Sequence, residues 1–157
     1  MNQTQQDQHD QHAKFMNDLL GFSKEALAGL TTAGVVIVEA ENPGEDNGSQ
    51  WFWTHWGTTI QQVALHRLIN IKDRKGGHGL TAADVEAFNE IYRDVSEHTR
   101  AGVIFAVTSE GTETISTAHV FWGDRLAALG LIELWKARTL VRLEGGKGTD
   151  PLNPNDD

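Results

Sequence analysis

From Ala13 the stretch "AKFMNDLLGFSKEALAGL" sets Phe15, Leu19, Leu20, Leu27 and Leu30 near helical spacing. It predicts a helix, weakened by Gly21 and ending near Gly29. "AGVVIVEAE" from Ala33 is rich in β-branched residues and predicts a strand. The Asn-Pro, Pro-Gly and Asn-Gly steps in "NPGEDNGSQ" predict a hairpin loop, and "WFWTHW" a return strand. Thr58 or Thr59 then caps a helix whose Ile60, Val63, Ala64, Leu68 and Ile71 fall along one face. "KDRKGGHG" is a glycine-rich basic linker.

The second half repeats the order. Thr81 is an N-cap with Asp84 in the first turn, followed by an apolar face of Val85, Phe88, Ile91, Tyr92 and Val95. "AGVIFAVTS" and "TETISTAHVFW" form a second strand pair, and Asp124 caps a last helix, "RLAALGLIELWKARTLVRL". Setting Gly34 against Gly102 also matches Ala33 with Ala101, Val35 with Val103, Trp56 with Trp122 and Leu65 with Leu131. The pattern predicts an α+β fold of duplicated αββα units forming a four-stranded antiparallel sheet with packed helices, since isolated hairpins are marginal. Each matched glycine is expected to let the chain turn sharply from helix into strand. Ala64 and Gly130 fall at matched positions and would let their helices approach closely.

These patterns define one domain, residues 13–144, with pseudo-repeats 13–73 and 80–144. Residues 1–12, polar and carrying His9 and His12, are expected to form a disordered tail, and residues 145–157 a disordered acidic one. At 157 residues, 39% apolar and 22% charged, the chain can bury a core. It has no apolar run of membrane-spanning length and no signal-peptide pattern, so a cytoplasmic location is the default expectation. With no cysteine there is no disulfide, thiolate metal site or cysteine nucleophile. A net charge of −9 speaks against direct, sequence-independent nucleic-acid binding, which needs a basic surface.

Candidate chemistry concentrates in the return strands. Alternation puts Trp51, Trp53 and His55 on one face of the first, and Thr117, His119 and Phe121 on the corresponding face of the second. Trp56 and Trp122 fall on the opposite face, where core positions are expected. The aromatic face is open to a ligand if all helices cover the other side of the sheet. It is buried within the chain or in a dimer if they do not. His55 and His119, expected on neighbouring strands, could act as acid and base or hold a metal with Glu39 or Glu41. No HExxH, GxSxG, P-loop or dinucleotide-binding pattern occurs, so no cofactor or catalytic residue is assigned.

The resulting expectation is a non-catalytic binding protein that uses the aromatic face for a small molecule or a protein partner. A nucleotide-like ligand would stack on Trp51, Trp53 or Phe121, with Lys72, Arg74 and Lys75 of the linker near its phosphates. The alternatives are a small His- or metal-dependent hydrolase and an acidic inhibitor of a nucleic-acid-acting protein. A homodimer is expected, through the aromatic face or through the last helix with its Leu126, Leu129, Ile132 and Trp135.

Overall fold

The computed structural model describes residues 3–43, 48–68, 81–110 and 114–143. The chain runs α1 (Gln3–Leu30), β1 (Ala33–Glu41), β2 (Ser49–Trp56), α2 (Thr59–Leu68), α3 (Ala82–Ser96), β3 (Ala101–Glu110), β4 (Thr114–Trp122) and α4 (Arg125–Leu143). The two hairpins join through β1 and β3 into one antiparallel sheet of order β2-β1-β3-β4. Across the central pair Gly34 faces Ala106 and Gly102 faces Val38. Exchanging the halves, with Gly34 taken to Gly102, therefore returns the same register.

Helices cover both sides of this sheet. Val36, Val38, Ala40, Ile104 and Ala106 point to the side of α1 and α3, where they meet Met16, Leu20, Leu27, Phe88, Ile91 and Val95. Ala33, Val35, Ile37, Val103, Phe105 and Val107 point the other way and pack under Leu65 of α2 and Leu131, Ile132 and Trp135 of α4. Burial on both faces explains the continuous apolar runs 35–38 of β1 and 103–107 of β3, because these positions of a sandwiched strand do not face water. Phe52 and Trp56, from the edge strand β2, join the α1–α3 core, as expected for Trp56.

Two expectations change at the helices. The polar N-terminal segment is helical from Gln3 rather than a loose tail. It contains no glycine or proline, Gln6 bonds Asp10 one turn on at 2.9 Å, and His12 meets the ring of Phe52 edge-on at 6.1 Å. The acidic segment 145–157 lies outside the described residues. The second change concerns Ala64 and Gly130, which are exposed and draw no helices together. Instead α2 meets α4 through His66, whose ring stacks on Trp135 with centroids 4.4 Å apart.

Gly34 and Gly102 make no sharp turn. Each lies inside its strand, and among the described residues the positive-φ glycines are Gly57 (106°) and Gly123 (75°), directly after the second strand of each hairpin. A Cβ on Gly34 would sit 2.2 Å from Cζ2 of Trp56, its cross-strand partner, and a Cβ on Gly102 would sit 2.3 Å from Cζ2 of Trp122. The repeated Ala-Gly step thus leaves a floor on which an indole lies. The indole N–H then reaches across to a threonine just before the strand: Trp56 Nε1 donates to Thr31 Oγ1 (3.0 Å), Trp122 Nε1 to Thr99 Oγ1 (2.9 Å). Both hydroxyls donate in turn to the last turn of the preceding helix, at the carbonyls of Leu27 and Val95. One hydrogen-bonded chain therefore ties helix end, strand start and return strand together in each half.

Candidate functional site

The six strand residues expected to form one aromatic face do share a side of the sheet, that of α2 and α4. They do not form one patch. Trp51, Trp53 and His55 lie on β2, and Thr117, His119 and Phe121 on β4, which are the two outer strands. His55 faces Val35, Val35 faces Phe105, and Phe105 faces His119. The two histidines are thus three strand spacings apart, about 14 Å, and not on neighbouring strands. At that distance they cannot share an ion or a water. Among the described residues no group of His, Asp and Glu is placed to hold a metal.

Each outer strand carries its own half-buried aromatic cluster. Trp53 and His55 stack with centroids 5.2 Å apart, and His119 packs between Phe121 at 5.4 Å and Phe105 at 6.3 Å. Between the clusters the sheet is filled by Val35, Ile37, Val103 and Phe105, all buried beneath α2 and α4. Lys72, Arg74 and Lys75 lie outside the described residues.

Above this buried row sits a polar contact that the sequence did not announce. The Thr139 hydroxyl donates to the Trp135 carbonyl, and His66 Nε2 lies 2.7 Å from the same hydroxyl oxygen, which places the imidazole proton on Nε2. His66 is buried, and burial lowers its pKa, with Lys136 and His55 adding to the effect. His12 is lowered in the same direction by burial and by His9. A histidine with a depressed folded-state pKa contributes stability that is fully present above the unfolded value, near 6.5, and is lost as pH falls toward the folded value. Denaturant midpoints should therefore drop between about pH 7.5 and about pH 5.5, and His66→Gln should flatten that slope. An unchanged slope in the variant would remove His66 from the account.

Two concavities lined by described residues bear on the site. The smaller, about 200 Å³, runs between the β2 edge and α4; Trp51, Glu39 and Ser49 form one wall and Ala127, Gly130 and Leu134 the other. The guanidinium of Arg138 lies over the Trp51 ring, 4.8 Å from its centroid, a cation–π contact that holds the indole as a wall of the groove. A Cβ at Gly130 would meet nothing within 4 Å, so the missing side chain widens the groove.

The larger concavity, about 560 Å³, lies on the α1–α3 side. His12 comes from α1, Glu41, Asn42 and Pro43 from the end of β1, and Glu97, His98, Thr99 and Arg100 from the turn between α3 and β3. These residues are scattered in sequence, and none belongs to a recognisable motif. The advance signals were His12, on a segment read as a tail, and Glu41, read as a candidate metal ligand beside His55. Among the described residues no helix is long and apolar enough to cross a membrane. No family model, curated protein or solved structure matches the chain.

Proposed function

We propose that the chain is a non-catalytic binding domain whose Trp51 groove receives an apolar side chain from a protein partner. The groove itself carries the reading: an indole wall braced by Arg138 faces a helix surface left bare at Gly130. Its volume of about 200 Å³ falls below the roughly 300–1,000 Å³ of small-molecule pockets, which favours a side chain over a nucleotide. An aromatic or arginine side chain in a small desolvated pocket is the usual energetic centre of a protein interface. A second copy of the chain is one such partner, and the matched halves are in keeping with one αββα unit duplicated within the chain.

A photo-crosslinking amino acid at position 133, exposed on α4 one turn beyond Gly130, tests this in the producing cell without filling the groove. A discrete protein adduct should form there, should fade by a factor of about 30 in Trp51→Ala, and should be absent with the crosslinker at Glu90 on the exposed side of α3. An adduct at twice the chain mass would identify the homodimer. Equal labelling at positions 133 and 90, or labelling indifferent to Trp51→Ala, would reject the groove as a partner site.

A further inference from the structure

We propose that the outer edge of β4 pairs with the same edge of a second copy of the chain, joining two four-stranded sheets into one of eight strands. The Val107 carbonyl accepts from the Thr32 N–H, and the Glu39 carbonyl from the Arg100 N–H, so the odd positions of β1 and β3 bond toward each other. The even positions of β3 then bond to β4, and the register turns the N–H and C=O groups of Thr117 and Phe121 away from the sheet. No described strand lies beyond β4.

Nothing on β4 guards this edge. Outer strands of open sheets commonly carry a charge, a proline or a bulge that stops another strand from adding. "TISTAHVFW" has no charged residue, proline or glycine, and its nine pairs with β3 keep one unbroken register. The two halves of the chain also differ here. β2, the counterpart of β4, lies against α1, which has 28 residues, and its Phe52 and Trp56 are buried. α3 has only 15 residues and reaches β4 through Tyr92, edge-on to Trp122 at 5.5 Å. Ala118 and Trp122, at the positions of Phe52 and Trp56, are half-buried, and a half-buried Val120 stands where β2 has Thr54. The weaker cover thus coincides with an apolar residue in place of a polar one.

Charge selects a second copy as the occupant. With a net charge of −9, two copies repel each other unless they meet where neither is charged. β4 offers nine uncharged residues in a row. Flush antiparallel pairing about a twofold axis sets Ala118 against Ala118 and Thr117 against His119, with no like charges opposed. A basic peptide would be drawn to the chain as a whole but would find no carboxylate on this strand.

Sedimentation equilibrium of the intact chain, with amide hydrogen exchange at two protein concentrations, tests the pairing. The wild type should be dimeric at about 100 μM. The dimer should tighten as salt rises from about 50 to about 500 mM, because the repulsion between copies is screened. Exchange at the Thr117 and Phe121 N–H groups should slow about tenfold in the concentrated sample, and exchange at Trp51 and Trp53, the corresponding outward positions of β2, should not change. Thr117→Pro removes an outward N–H and no bond to β3, so it should keep the fold and weaken the dimer at least about tenfold, one bond being lost on each side of the axis. Thr117→Lys, which brings two cations to the seam, should weaken it as well and decides the matter if the proline variant unfolds. A monomeric wild type, a dimer that loosens with salt, slowed exchange at Trp51 and Trp53 instead, or a dimer indifferent to both Thr117 variants would each overturn the pairing. The Trp51 groove lies at the opposite edge of the sheet and stands or falls separately.

Discussion

Gly102→Ala is expected to destabilise the fold by about 3 kcal/mol, the upper part of the range for overpacking a filled core. The added methyl would lie 2.3 to 2.8 Å from three atoms of the Trp122 indole, so the ring must move rather than the methyl bend. Moving the ring also breaks the Trp122–Thr99 hydrogen bond that secures the end of α3 to β4. In a Trp122→Leu background the same glycine change should cost at least about 1 kcal/mol less, because the clash partner is gone. Guanidinium midpoints of the four proteins give the coupling directly. An equal cost in both backgrounds would sink the idea that the glycine exists to seat the indole. Gly29→Ala is a fitting control: its Cβ meets nothing within 4 Å, it lies in the last turn of α1, and alanine is the better helix former.

Trp135→Ala is expected to cost about 3–5 kcal/mol, as full truncation of a core tryptophan does. Trp135 is 0% exposed, packs on the β1–β3 centre and stacks on His66, so it joins α4, α2 and the sheet at one point. Among the described residues its indole N–H has no hydrogen-bond partner. Trp135→Phe loses less surface and no bond, so it should cost clearly less than Trp135→Ala. Thermal and denaturant unfolding of the two variants check this ordering, and a loss below about 1 kcal/mol for Trp135→Ala would contradict the packing. The burial also removes Trp135 as a probe of self-association, since Trp135→Glu would place a charge in the core and unfold the chain. Leu126, 78% exposed at the start of α4, is the position to charge instead, with Ile60, 83% exposed at the corresponding place on α2.

Local chemistry along the chain was enough to place the elements. Thr81 is the expected N-cap, and with Asp84 it closes a capping box, Thr81 Oγ1 accepting from the Asp84 N–H at 3.2 Å and the Thr81 N–H donating back. Asp124 caps α4 through the N–H groups of Leu126 and Ala127. Such bonds span two or three residues, so the sequence spacing contains the whole interaction. Cover on both faces accounts for the doubly apolar runs of β1 and β3, but their place at the centre of the sheet was not read from the sequence. The pairing of Gly34 with Gly102 and Trp56 with Trp122 was visible as a repeat, but its reason was not. That reason is a cross-strand contact between an indole and a bare backbone, and glycine at a turn and glycine under a ring look identical in one dimension.

Strand order and the sites built on it were decided by tertiary packing. The alternation of each return strand placed Trp53, His55, His119 and Phe121 on the correct face. Nothing local to β2 or β4 says that β1 and β3 lie between them, so two edge clusters read as one surface. The N-terminal segment looked like a tail because its residues are polar. It is helical because glutamine-rich sequence without breakers can continue a helix whose later turns are anchored by Met16, Leu20 and Leu27. The cleft of His12, Asn42 and Glu97 exists only once that helix, a strand end and a turn meet. Periodicity records which face of an element is apolar; which elements meet, and which polar groups are left in the gap between them, depends on contacts across the whole chain.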